Sequence, residues 1–148
     1  MTVARVRTAR VVIASTRAAN GVYEDRTGPV IVEWLRGRGF DVPDPIVVAD
    51  GMAVSRALIT AVGEQVHLII TSGGTGISPT DGTADAIRRS GLPHVPTSVL
   101  SRGVCGVRDG ILVVNLPGST GGVKDGLGVL ADVLDHALDQ LAGGDHGR

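Results

Sequence analysis

Two glycine-rich segments carry the residue types that bind phosphate groups. The first segment consists of Thr71, Ser72, Gly73, Gly74, Thr75 and Gly76, and it directly follows an apolar run. Glycines let backbone N–H groups approach an anion closely, and a helix that begins after such a loop adds partial positive charge. The segment has no Walker A lysine and does not match G-x-G-x-x-G. The segment therefore predicts a phosphate-binding loop that matches neither of these common nucleotide-binding motifs. The alternative is a tight turn that binds no ligand.

The second glycine-rich segment repeats this arrangement later in the chain. It consists of Asn115, Leu116, Pro117, Gly118 and Ser119, and it precedes the longest predicted helix. Lys124 follows about one helical turn later and could add a positive charge. A second phosphate-binding loop is one interpretation of the segment. The other is an ordinary helix entry with Ser119 as the N-cap residue.

Asp50 and Asp81 each stand directly before a predicted helix. Aspartate is a preferred N-cap, so both carboxylates could serve only to cap a helix. The functional alternative is that they hold Mg²⁺, which favours one or two carboxylates together with phosphate oxygens and water. The pattern alone leaves both interpretations open.

Three other residue types could in principle bind or react with a ligand. Arg102, which follows Ser101, could bind a phosphate with two hydrogen bonds or could be a solvated surface charge. Cys105 alternates with apolar residues, which favours a buried small side chain over a nucleophile. The four histidines lack the spacing of metal ligands, so no zinc site is predicted.

The elements that must position these residues alternate between strands and helices. Apolar runs predict strands at residues 11–14, 46–48 and 66–70, and amphipathic periodicity predicts helices at residues 29–36, 52–62 and 84–89. Residues 15–27 read as a polar connection. This alternation predicts a three-layer α/β/α fold with a mostly parallel mixed sheet.

The C-terminal part of the chain predicts a hairpin followed by a helix. Asp109-Gly110 favours a two-residue turn between antiparallel strands at residues 104–107 and 111–114. Apolar residues then recur at spacings of three and four from Val123 to Leu141. In such sheets, ligands bind beyond the carboxyl ends of the strands. Asp50 and both glycine-rich segments fall at those ends.

Composition limits the classes of function. The 148 residues fit one domain, residues 1–148, and 43% of them are hydrophobic. Aromatic residues make up 2% and the net charge is −1, which disfavours a nucleic-acid surface. No apolar run in the sequence is long enough to predict a membrane span. A single cysteine suits a reducing cytoplasm.

With these residues assembled, the chain resembles the MoaB/Mog family of molybdenum cofactor biosynthesis proteins. The matching signatures are Gly21-Val22-Tyr23-Glu24-Asp25, residues 71–76, Asp81, Leu100-Ser101-Arg102-Gly103, and residues 115–119. The resemblance implies a molybdopterin adenylyltransferase, which uses ATP and a divalent cation such as Mg²⁺ and releases pyrophosphate. It maps two catalytic aspartates onto Asp50 and Asp81, and phosphate binding onto the two glycine-rich segments. It also implies a homotrimer and a downstream molybdate-insertion protein as a partner.

The sequence departs from the family pattern in three places. After Asp81 and one variable position, the family usually has a Thr-Pro pair, whereas this chain has Thr83-Ala84. The stretch between Thr83 and Ile87 is shorter than in the family, and Thr120 stands where proline is common. A non-catalytic molybdopterin-binding paralogue or scaffold is the alternative function. A nucleotide-dependent oxidoreductase domain is disfavoured by the missing G-x-G-x-x-G.

Overall fold

The computed structural model describes residues 6–21, 24–73 and 105–143. The strands are β1 (Ala9–Ala14), β2 (Ile46–Val48), β3 (Leu68–Gly73), β4 (Cys105–Arg108) and β5 (Ile111–Leu116). The helices are α1 (Thr16–Ala19), α2 (Thr27–Gly37), α3 (Met52–Gly63) and α4 (Thr120–Leu141). No helix among these residues is long and apolar enough to cross a lipid bilayer.

The strands form one five-stranded sheet in the order β2-β1-β3-β5-β4. The first four strands are parallel, and β4 pairs with β5 in the antiparallel direction. The predicted mostly parallel mixed sheet is therefore confirmed. The chain passes from β1 to β2 on one side and then to β3 on the other. This change of direction places a topological switch point between β1 and β3, where open α/β sheets bind ligands.

Helices cover both faces of the sheet. On one face, α2 and α4 bury Leu35 and Leu134 against strand residues such as Ile70. On the other face, α3 buries Val54, Leu58 and Ala61, the three residues that its periodicity predicts as the core face, and they pack against strand side chains that point the opposite way. Because successive strand residues face opposite sides, each buried strand contributes to both cores. The predicted three-layer arrangement is confirmed.

The hairpin follows its prediction closely. Asp109 and Gly110 have φ angles of 52° and 80°. A type I′ turn requires positive φ at both central residues, and its twist matches that of the flanking strands. Cys105 is buried in β4, as the alternation of apolar residues indicates.

Two elements differ from the sequence-based expectation. Strand β3 does not end at residue 70 but continues to Gly73, so the first half of the glycine-rich segment belongs to the sheet. The polar connection after β1 contains α1, a single turn whose N-cap Ser15 accepts a hydrogen bond from the Ala18 N–H. Neither difference has a hydrophobic period that could indicate it, because the added residues of β3 are Thr71, Ser72 and Gly73 and α1 is a single turn. The predicted helix at residues 84–89 lies outside the described residues.

Candidate active site

The carboxyl ends of the parallel strands meet at a cleft of about 980 Å³. This volume is at the upper end of the range for small-molecule sites. The walls come from four places: the turn after β1 with the start of α2, Asp50 after β2, the end of β3, and the turn after β5. The cleft lies at the switch point between β1 and β3, as the prediction from the sheet order requires.

Two glycines bring backbone segments together at the floor of the cleft. Gly73 has a φ of +90°, and a Cβ atom there would collide with the carbonyl oxygen of Ala14. A Cβ atom on Gly118 would lie 3.2 Å from the Cα of Gly73. Only glycine can adopt the positive φ of Gly73 and also lie this close to the Ala14 carbonyl. The end of β3 and the turn after β5 can therefore present their backbones side by side to a ligand.

A buried network of hydrogen bonds holds these two segments in place. The Asn115 Nδ2 donates to Thr71 Oγ1 at 2.7 Å and to the Gly73 carbonyl at 3.3 Å. The Ser72 hydroxyl donates to the Pro117 carbonyl at 2.8 Å. Thr71, Ser72 and Asn115 are fully buried. Thr71 and Asn115 consequently lie behind the cleft and support its floor, while Ser72 and Gly73 line it.

Helix α4 begins at the cleft and points its N-terminus toward it. Ser119 is the N-cap residue, and its Oγ accepts a hydrogen bond from the Gly122 N–H at 3.0 Å. The N-cap interpretation of Ser119 is thus confirmed. The first turn contains no acidic residue, so the partial positive charge of this helix end is available to an anion. Lys124 lines a different groove, between α2 and α4, and does not line the cleft.

Replacing Ser119 with alanine tests the cap. We expect Ser119→Ala to lower the free energy of unfolding by about 1 kcal/mol, because the Gly122 N–H loses its acceptor. The measurement is urea denaturation followed by circular dichroism. Ser55→Ala, inside α3, is the matched control and should be neutral or slightly stabilising because alanine favours helix. Equal midpoints for Ser119→Ala and the unmodified protein would contradict the assignment.

Asp50 does not cap the helix that follows it. The N-cap of α3 is Gly51, with a φ of 97° and no side-chain cap hydrogen bond, so the capping interpretation of Asp50 is wrong. The Oδ2 atom instead accepts hydrogen bonds from Thr16, at 3.1 Å from its hydroxyl and 3.4 Å from its N–H. The Oδ1 atom is buried, with no hydrogen-bond partner among the described residues. Asp50 thus lines the cleft with one of its two carboxylate oxygens unpartnered.

Asp25 is a residue that the sequence pattern did not single out. Its Oδ1 accepts hydrogen bonds from the N–H groups of Thr27 and Gly28, both at 3.1 Å. These bonds start α2 at Thr27, two residues before the predicted position. An aspartate followed by a proline in the first helical turn is a recognisable start signal. Asp25 also lines the cleft.

Arg17 and Arg26 are two further cleft residues that the sequence did not indicate. Both side chains are exposed on the cleft wall. Within residues 6–21, 24–73 and 105–143, neither forms an ion pair, whereas Arg7, Arg10 and Arg36 each contact a carboxylate. Scattered surface arginines give no pattern in a sequence. The fold brings these two to the same cleft as Asp50.

Comparison with known proteins identifies the family. Residues 10–136 match the family described as "probable molybdopterin binding domain". The chain belongs to this family.

Relatives of this chain are named for molybdenum cofactor biosynthesis. A molybdenum cofactor biosynthesis bifunctional protein of Synechococcus elongatus is 34% identical, over 94% of this chain and 49% of the relative. The chain therefore spans about half the length of that relative. A molybdopterin adenylyltransferase of Helicobacter pylori is 31% identical, over 90% of this chain and 86% of the relative.

A solved structure agrees with both the family and the fold. The Mog protein of Mycobacterium ulcerans is 60% identical and superposes with a TM-score of 0.78, covering 92% of this chain and 99% of that one. The predicted resemblance to the MoaB/Mog family is confirmed.

Several of the predicted site residues lie outside the residues that the structure describes. They are Gly74, Thr75, Gly76, Asp81, Ser101 and Arg102. The short stretch after Thr83 lies there too. In the described part of the chain, no group of three or more histidine, cysteine, aspartate or glutamate side chains is arranged to hold a metal ion. Of the predicted site residues that the structure describes, five line the cleft together: Asp50, Ser72, Gly73, Gly118 and Ser119.

Proposed function

We propose that this chain is a molybdopterin adenylyltransferase of molybdenum cofactor biosynthesis. It transfers AMP from ATP to the terminal phosphate of molybdopterin and releases pyrophosphate. Relatives that carry this name support the proposal. The observation that carries it is the meeting, in one cleft, of an unpartnered carboxylate oxygen of Asp50 with glycine backbone and a helix N-terminus that has no acidic residue in its first turn.

The proposed reaction needs charge stabilisation more than a protein nucleophile. A phosphate oxygen of molybdopterin attacks the α-phosphorus of ATP, and the bond from that phosphorus to the β-bridging oxygen breaks. The bonding electrons leave with pyrophosphate. Both reactants are anions, so groups that offset their repulsion and hold them in line supply the catalysis.

The floor of the cleft supplies the groups that bind phosphate in this proposal. The N-terminus of α4 at Ser119 and the backbone at Gly73 and Gly118 bind phosphate oxygens. Thr71, Ser72, Asn115 and Pro117 keep that floor rigid through their hydrogen bonds. The proposed phosphate-binding set also includes Gly74, Thr75, Gly76, Ser101 and Arg102, on the strength of the family resemblance.

The carboxylate of Asp50 fits a divalent cation. Its Oδ1 is a buried acceptor that no described group satisfies, and carboxylate oxygens are preferred Mg²⁺ ligands. Asp50, together with Asp81 as the second proposed catalytic aspartate, would hold Mg²⁺. When bound, Mg²⁺ would neutralise charge on the phosphate oxygens in the transition state.

Arg17 and Arg26 are proposed to bind the polyphosphate of ATP. We expect Arg17→Gln and Arg26→Gln each to lower kcat/KM for ATP roughly 10- to 100-fold, because each loses a charge-assisted hydrogen bond. Steady-state kinetics with varied ATP measures the effect. Arg56→Gln, an exposed arginine on α3 outside the cleft, is the matched control and should change kcat/KM less than about twofold. Unchanged kinetics in both cleft variants would remove the arginines from the proposal.

Further parts of the proposal rest on the sequence. The family resemblance implies a homotrimer and a downstream molybdate-insertion protein that receives the product, the chain length indicates a single domain over residues 1–148, and the single cysteine suits a cytoplasmic location. The competing function is a molybdopterin-binding paralogue or scaffold without turnover. Incubation with molybdopterin, ATP and Mg²⁺ separates the two, because the paralogue would bind the pterin and release no pyrophosphate.

A further inference from the structure

We propose that Thr16 is a positioning residue that orients the carboxylate of Asp50. Its hydroxyl and N–H hold the Oδ2 atom and leave Oδ1 for the ligand. This inference rests on the proposed function, since it assigns Thr16 a role only through Asp50.

Three hydrogen bonds join the two residues. The Thr16 hydroxyl donates to Asp50 Oδ2 at 3.1 Å, and the Thr16 N–H donates to the same oxygen at 3.4 Å. In the other direction, the Asp50 N–H donates to the Thr16 hydroxyl at 3.1 Å. A hydroxyl has one proton to donate and lone pairs to accept, so a single side chain satisfies both the carboxylate and its backbone. The pair therefore fixes the carboxylate relative to its own main chain.

The two partners sit on turns that are themselves tied together. Ser15, next to Thr16, donates its N–H to the Val48 carbonyl at the end of β2 at 2.9 Å. Ser15 also caps α1 by accepting from the Ala18 N–H at 3.2 Å. A β-branched side chain such as threonine has few χ1 rotamers. The hydroxyl is consequently held at a defined place on the cleft wall.

The exposure of Thr16 argues that the hydroxyl, and not core packing, is what the position uses. The residue is exposed and lines the cleft, while Asp50 is half-buried. A substitution at Thr16 therefore removes little buried apolar surface. Its expected effect passes through the carboxylate of Asp50.

The kinetic test compares three substitutions. Thr16→Val keeps the shape and removes the hydroxyl, and we expect it to lower kcat roughly 10- to 100-fold, since small displacements of catalytic groups have effects of this size. Thr16→Ser restores the hydroxyl and should stay within about threefold of the unmodified protein. Thr60→Val makes the same chemical change on the exposed face of α3 and should leave kcat unchanged. Should Thr16→Val not fold, Thr16→Ala takes its place.

A binding measurement separates positioning from a merely structural role. Calorimetry measures the affinity for α,β-methylene-ATP, which cannot transfer AMP, with and without Mg²⁺. We expect the gain in affinity from Mg²⁺ to fall in Thr16→Val and Asp50→Asn alike. Adding Thr16→Val to Asp50→Asn should then cause no further loss, because residues that act through one group are not additive.

The possible outcomes distinguish this inference from the function on which it rests. If Asp50→Asn loses activity and the Mg²⁺ gain while Thr16→Val keeps both, the positioning role is overturned and the proposed function stands. The positioning role is also overturned if Thr16→Val causes the same loss of affinity in the unmodified protein and in the Asp50→Asn variant. If the unmodified protein shows neither turnover nor an Mg²⁺ gain, both proposals fall together.

Discussion

Asp50→Asn is expected to lower kcat for adenylyl transfer by roughly 100-fold or more, the size seen when one electrostatic stabiliser is removed. The substitution removes the negative charge and keeps the shape. The asparagine oxygen can still accept the hydrogen bonds that Thr16 donates to Oδ2. Since Asp50 is not the N-cap of α3, no helix start depends on it. We expect the free energy of unfolding to change by less than about 0.5 kcal/mol.

A matched control separates the site from general surface charge. Asp44 also carries an exposed carboxylate, which lies 3.4 Å from Arg36 and outside the cleft. Asp44→Asn should leave kcat within about twofold of the unmodified protein, as exposed ion pairs contribute little. Kinetics and thermal unfolding are measured on the same samples. A stability loss in Asp50→Asn with unchanged kcat would show that Asp50 has a structural role only.

Gly73→Ala is expected to cause the largest loss of stability. Its methyl group would collide with the Ala14 carbonyl, and its φ of +90° is unfavourable for alanine. Left-handed backbone costs roughly 1–2 kcal/mol and overpacking about 1–3 kcal/mol more. We therefore expect unfolding to become easier by roughly 2–5 kcal/mol. Because β3 must shift away from β1 to make room, the floor of the cleft should lose its geometry and its activity.

The control for Gly73 is a glycine with open space around it. Gly128 is exposed in the middle of α4, and a Cβ atom there meets nothing within 4 Å. Gly128→Ala should be neutral or stabilise the fold by about 0.5–1 kcal/mol, because alanine favours helix. Urea denaturation of the two variants gives the comparison. If Gly73→Ala were as stable as Gly128→Ala, the close contact between Gly73 of β3 and the Ala14 carbonyl of β1 would be contradicted.

The layered fold could be predicted because its signals are local. The core face of α3, Val54, Leu58 and Ala61, has the helical period, and Asp109-Gly110 directly specifies a hairpin turn. The place of Asp50 at the carboxyl edge of the sheet follows from its position after an apolar strand. These patterns need no knowledge of distant partners.

The details of the site could not be predicted because its contacts join distant parts of the chain. Thr71 resembles a loop residue until Asn115, 44 positions later, is placed beside it. Asp50 resembles a helix cap until Thr16, 34 positions earlier, supplies its partner. Arg17 and Arg26 carry no signal because a cleft charge and a surface charge look the same in a sequence. Side-chain partners across a parallel sheet depend on register, which becomes visible only in the folded chain.

The most direct test of the central claim follows the phosphorus atoms of ATP. The protein is incubated with molybdopterin and Mg²⁺ together with ATP labelled at either the α- or the γ-phosphorus. We expect the α label to appear in an adenylated pterin and the γ label in pyrophosphate, in equal amounts, and Asp50→Asn to form both products at least roughly 100-fold more slowly. If a known adenylyltransferase forms both products under the same conditions and this protein binds molybdopterin but forms neither, the chain is a binding paralogue and the account is contradicted.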